Sequence, residues 1–220
     1  MEWMIWILLV SALWVTIQTG YRVFKKYTLA RLALFLALIA FDINIISELL
    51  FRHFTQDLLI VEPNLISEWA QIISISFVLS GLAVIIREAK PDFARFPLSF
   101  AFLPLLIIAT YPMAMHTLVI KKWLLSIYEG GALLVALLLY SVKTYRFNKY
   151  GLILLGIILM TLAYLFFWFN FIPETIKQTW PLLMALGLYI SSRGFKTVAR
   201  EWGIEGESWL NTAEPPNSPA

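Results

Sequence analysis

Apolar runs of about 20 residues, broken by short charged or proline-containing stretches, recur along almost all of this 220-residue chain. A helix rising 1.5 Å per residue needs about 20 apolar residues to cross some 30 Å of hydrocarbon. Seven such runs can be read, at about 3–20, 29–51, 65–86, 98–116, 123–142, 150–171 and 175–192. The last is the weakest, because Lys177 falls within it and the purely apolar stretch from Trp180 is short. A lysine near a boundary can still snorkel to the interface. Inside a bilayer each helix must satisfy its own backbone hydrogen bonds, so the pattern predicts an all-α, polytopic seven-transmembrane-helix bundle over residues 1–200. Residues 201–220 turn polar and proline-rich, which predicts a short disordered cytoplasmic tail, too small for an effector domain.

Composition agrees with that solvent. Hydrophobic residues make up 60% of the chain and charged residues 14%, against about 25% charged in a soluble protein. A water-soluble domain of this size could not hide so much apolar surface. The net charge of +3 does not point to nucleic acid, because the basic residues follow membrane topology. The expected surroundings are the lipid bilayer of a cell membrane. With no cysteine, thiol catalysis, thiolate metal sites and disulfides are all excluded.

The charge bias orients the chain. Arg22, Lys25, Lys26, Arg31, Arg87, Lys90, Arg95, Lys143, Arg146, Lys149, Arg193, Lys196 and Arg200 all fall on one side of the seven runs. Only Arg52, Lys121, Lys122 and Lys177 fall on the other. The positive-inside rule then predicts an outside N-terminus and a cytoplasmic C-terminus, which an odd number of spans also requires. Glu2 and the lack of a basic n-region argue against a cleaved signal peptide. Trp3, Trp6, Trp69, Trp123, Trp168 and Trp180 lie near the predicted outer ends, where interfacial aromatics belong.

One internal echo stands out. The segment YRVFKKYTLARLALFLALIAF from Tyr21 aligns, with one gap, to YRFNKYGLILLGIILMTLAY from Tyr145. The match would pair spans one to three with spans five to seven, a parallel three-helix repeat joined by a linker helix. Any basic loop ahead of a leucine-rich helix shares these features, so the echo alone does not establish a repeat.

Ionisable groups in hydrocarbon are functional candidates by default. Glu48, Glu68 and Glu129 are expected in the outer third of the bilayer, with Asp42 nearest the midplane. Asn44, Ser47 and Glu48 share a face of span two; Ser67, Gln71 and Ser74 form a stripe on span three beside Glu68. Ser126 and Glu129 are three apart on span five, ahead of Gly130 and Gly131, which permit close backbone approach. Pro104 and Pro112 are expected to bend span four, while His53, His116 and Asn170 sit at outer helix ends. Tyr164 and Tyr189 are within reach of such acids as donors. Together these residues predict an outward-facing acidic pocket for a small polar or cationic ligand. Asn44, Glu48, Glu68, Gln71, His116 and Glu129 would bind it, and Asp42 would be a deeper coupling or proton site. The same acids and polar stripes would also serve plain helix packing at a wet interface.

Motifs narrow the chemistry. His53 and His116 lack any paired spacing, so no metal site is expected, and no cofactor either. Retinal binding needs a lysine midway along the last helix, where this chain has only Lys177 at the rim. No Pro-Gln pair, phosphate-binding glycine loop or nucleophile–base pair is present, so catalysis is not expected. The sequence thus predicts a ligand-binding membrane protein acting as a transporter, with a sensor or accessory subunit working through a protein partner as the alternative.

Overall fold

The computed structural model describes residues 2–25, 27–55, 65–89, 95–110, 118–169 and 173–201. Their secondary structure is helical, with no strand among them. The long helices are α1 (Glu2–Lys25), α2 (Leu29–Thr55) and α3 (Leu65–Ala89). A 3-10 segment (Leu98–Leu105) and a short α4 (Leu106–Thr110) follow. Next come α5 (Leu118–Arg146), α6 (Gly151–Trp168), the single turn α7 (Glu174–Lys177) and α8 (Trp180–Glu201). Five of these stretches, Trp3–Lys25, Leu29–Phe51, Leu65–Glu88, Ile120–Arg146 and Asn148–Trp168, are long and apolar enough to cross a membrane.

The two remaining predicted spans differ from expectation. Where one α-helix was expected over 98–116, the chain winds as a 3-10 helix around Pro104, followed by the short α4. Proline has no N–H to give to the residue four before it, and its ring crowds that carbonyl, so a regular α-helix cannot run through position 104. The weak seventh span is divided too. Lys177 ends α7, and Gln178 and Thr179 form a turn before α8 begins, with Pro181 in its first turn where a missing N–H costs nothing. Lys177 is therefore outside the long helix, and the boundary lysine that weakened the sequence reading is removed.

Packing registers define the architecture. Ala30 lies against Gly81, the Ser74 hydroxyl donates to the Ala37 carbonyl at 2.9 Å, and Ser67 donates to Asn44 at 2.5 Å. These contacts step by seven residues in opposite directions, so α2 and α3 are antiparallel and meet along a seam of small side chains. The α6–α8 pair repeats the pattern. Ile153 meets Gly194, Met160 meets Gly187 and the Phe167 ring packs on Trp180. In the alignment of the two sequence echoes Ala30 falls on Ile153, Ala37 on Met160 and Asn44 on Phe167. The same three positions thus make the inter-helix contacts in both halves, which a chance likeness of basic loops would not produce.

The halves also join alike. Glu68 pairs with Lys121 near the start of α3 and α5, and Ile72 and Ile75 cluster with Leu125 and Ala132 further along, so these helices run parallel. Likewise α1 and α8 are parallel: Ile5, Leu8 and Ala12 cluster with Trp180 and Ala185, and Ser192 donates to Gln18 beyond. In each case the first helix of one three-helix unit meets the last helix of the other. Parallel α3 and α5 require the chain between them to return along the bundle. Its described part does so: Arg87 Nε donates to the Phe96 carbonyl, Ala101 packs with Val84, and Ile107 and Ile108 reach the Ile72–Ile75 cluster. Leu134, Leu138, Leu155, Leu162 and Leu186 are exposed on the outside of the described helices, apolar surface compatible with a lipid environment.

Candidate functional site: the polar seam of α3, α5 and α6

Where the two units meet along α3 and α5, polar side chains replace the small residues that join helices within a unit. Glu68, in the first turn of α3, accepts from Lys121 Nζ at 2.9 Å. Lys121 is only 5% exposed, and that carboxylate compensates its buried ammonium. Two turns along α5 on the same face, Glu129 accepts from Trp168 Nε1 of α6 at 2.6 Å and is also hydrogen-bonded by Gln71 of α3. Between them, Tyr164 of α6 donates to the Ser126 carbonyl at 2.9 Å while the Ser126 hydroxyl lies 2.9 Å from the Tyr164 oxygen. A Cβ on Gly130 would stand 2.7 Å from that Tyr164 oxygen, which is why the ring reaches α5 only over a glycine. A Cβ on Gly131, by contrast, would have nothing within 4 Å, so close approach belongs to one glycine of the pair.

Of the residues expected to bind a ligand, Glu68, Gln71 and Glu129 come together here. Asn44 borders them, because its partner Ser67 immediately precedes Glu68. Glu48 is half-buried one turn beyond Asn44 on α2. His116 and Asn170 lie outside the described residues, as does the side chain of His53 in the last part of α2. Asp42 is elsewhere, buried between α1 and α2, where Thr16 Oγ1 lies 2.7 Å from its Oδ2.

Depth also differs from expectation. The α2–α3 register sets Asp42 level with Trp69, near the start of α3, whereas Glu129 meets Gln71. Asp42 and Glu129 thus lie at similar levels along α3, two residues apart. Counting from predicted span ends misses this, since α2 begins and ends at levels of its own.

Three contributors escape the sequence reading. Lys121 enters that reading only through topology, yet with Glu68 it forms a compensated pair, so the seam carries less negative charge than the expected acidic pocket. Trp168 and Trp180 are expected at the interface. Within the bundle Trp168 is held by Glu129, and Trp180 packs on Phe167 and the α1 cluster. Of the two tyrosines, Tyr164 belongs to the seam through Ser126, whereas the Tyr189 hydroxyl accepts from the exposed Arg193. The findable signal is the face shared by Lys121, Ser126 and Glu129 on α5, with Gly130 marking where a large side chain must approach.

A groove of about 480 Å³ lies apart from this seam, between α2 and α3, and its lining, including Leu36, Ile43, Trp69 and Phe77, is apolar. No acid of the expected pocket lines it. Among the described residues no group of three or more His, Cys, Asp or Glu side chains is arranged to hold a metal ion. No protein family model, curated protein or solved structure matches this chain.

Proposed function

We propose that this is a multi-pass cell-membrane protein that crosses the bilayer seven times, N-terminus outside, and binds a small polar or cationic ligand at the α3–α5–α6 seam in order to transport it. The observation that carries the reading is the position of the ionisable cluster. Glu68, Lys121 and Glu129 sit where two equivalently packed three-helix units meet, and repeat interfaces are where transporters bind their cargo. Because Lys121 compensates Glu68, the charge left to a ligand is that of Glu129, which suits a small monocation or a polar molecule with one amino group. The parallel pairing of α3 with α5 and of α1 with α8 supports an odd number of crossings, with the basic residues gathered at one end.

Two measurements test this. The chain has no cysteine, so single cysteines at Trp3 and Lys196 report sidedness directly; labelling of both from one side refutes the topology. For the ligand, thermal stability of the purified protein is measured against a panel of cations, amines and sugars. A ligand-specific rise abolished by Glu129→Gln, followed by uptake into proteoliposomes, is the expected result. Equal uptake by the wild type and Glu129→Gln sinks the reading.

A sensor or accessory subunit acting through a protein partner is the second reading. One observation favours it: Glu68 and Glu129 are already partnered within the protein, as a purely structural seam would have them. A co-purifying membrane partner whose capture survives Glu129→Gln would select it.

A further inference from the structure

Outside the seam, the contact between α1 and α2 holds a second polar group whose partners do not balance. Asp42 is 5% exposed and Thr16 9%. Thr16 Oγ1 lies 2.7 Å from Asp42 Oδ2 and 3.0 Å from the Ala12 carbonyl oxygen. A hydroxyl has one hydrogen and can serve only one of those acceptors. The other carboxylate oxygen, Oδ1, is fully buried without a hydrogen-bond partner among the described residues. No described Lys, Arg or His from α1, α2, α3 or α8 forms an ion pair with Asp42 or acts on it electrostatically. An ionised Asp42 leaves the arrangement rich in oxygen, short of hydrogen and without a compensating positive charge, which a bound proton or cation would supply.

We infer that Asp42, Thr16 and the Ala12 carbonyl form a binding site for one small alkali-metal cation, of which sodium is the probe. The donor set is all oxygen, which suits a hard cation and not a transition metal. A single carboxylate balances a single charge, so a divalent ion would leave an uncompensated positive charge between the helices. Two oxygens come from α1 and two from α2, so the bound cation fastens these helices to each other. The site stands whether or not the seam carries a solute.

The test is the thermal midpoint of the purified full-length chain in 100 mM NaCl against 100 mM choline chloride at constant pH. Millimolar affinity would raise the midpoint by about 5 °C in sodium, by linkage. Asp42→Asn should fold and lose the sodium dependence, and Thr16→Val should shift the half-maximal sodium concentration upward about tenfold. The part of the sodium effect that Asp42→Asn removes should survive in Glu129→Gln, which separates this site from the seam. Three results overturn the inference: equal wild-type midpoints in sodium, lithium and choline; a sodium effect that persists in Asp42→Asn; or acidification in choline that supplies all the stabilisation while sodium supplies none, which would assign a proton.

Discussion

The α6–α8 and α3–α5 contacts join helices by opposite means. On the first, Gly156 approaches so closely that an added Cβ would fall 2.6 Å from the Gly187 carbonyl and 2.7 Å from the Ser191 backbone nitrogen. On the second, long side chains span the gap: Lys121 reaches Glu68, and Gln71 reaches Glu129. Backbone-to-backbone packing has one solution, because rigid main chain has nowhere else to go. Side-chain bridges can be broken, remade with water or a ligand, and made again. The difference separates a rigid contact within the second three-helix unit from an exchangeable one between the two units.

The largest effect expected is at the rigid contact. Gly156→Leu places its Cβ against main-chain atoms that cannot yield, and should destabilise by about 3 kcal/mol or more, leaving little monodisperse protein on size-exclusion chromatography. Gly131→Leu, with nothing within 4 Å, should stay within about 0.5 kcal/mol of wild type. Similar losses at both glycines would erase the distinction between rigid and open positions.

At the exchangeable contact the two partners should be unequal. Glu68→Gln removes the 2.9 Å partner of an ammonium whose side chain is 7% exposed, while Lys121→Met removes that of a carboxylate that is 24% exposed. The first should cost about 2–3 kcal/mol and the second about 1–2 kcal/mol, the smaller figure reflecting solvent screening of Glu68. The double variant should recover much of either loss in chemical denaturation, since it leaves no charge uncompensated. Additive losses would mean that the pair is not coupled.

Much of the bundle was legible in the sequence because hydrophobic run length is a direct consequence of hydrocarbon thickness. Five runs became long helices, and the weak run around Lys177 resolved into a turn and a full helix. The repeat was visible but undecidable, since shared composition mimics homology. Register supports it: Ala30 and Ile153 each meet a glycine, Gly81 and Gly194, at matching positions. In the fourth segment the bend at Pro104 was legible, but the 3-10 winding around it was not. The site was half legible. Acids in apolar runs announce themselves, so Glu68 and Glu129 were found. Their partners did not, because Lys121 lies 53 residues from Glu68 in sequence, and nothing local distinguishes it from exposed Lys122. Asp42 was legible as an acid apart from the binding residues, but its partner Thr16 on α1 was not, since helix-face arithmetic gives no neighbouring helix.

A smaller effect should come from Trp168→Phe, which keeps the ring but removes the indole N–H that reaches Glu129 at 2.6 Å. Losing one hydrogen bond to a charged acceptor while Gln71 remains should cost about 1–2 kcal/mol. Under the transport reading it should also weaken ligand-induced stabilisation, whereas a structural seam would lose stability alone.

The smallest effect tests the geometry most finely. Gly130→Ala brings a methyl within 2.7 Å of the Tyr164 oxygen and 3.1 Å of the ring carbon bearing it. The ring must shift by a few tenths of an ångström, stretching its bond to the Ser126 carbonyl, while the helix gains about 1 kcal/mol from replacing glycine. These terms oppose each other, so the net change in wild type should be a loss of under about 1 kcal/mol. In a Tyr164→Phe background the nearest clashing atom and the hydrogen bond are both gone. There the same Gly130→Ala change should turn neutral or stabilising, and the reversal of sign in a double-mutant cycle reports the contact itself. An unchanged sign would place the Tyr164 ring somewhere other than over Gly130, and with it would go the close approach of α6 to α5 on which the seam depends.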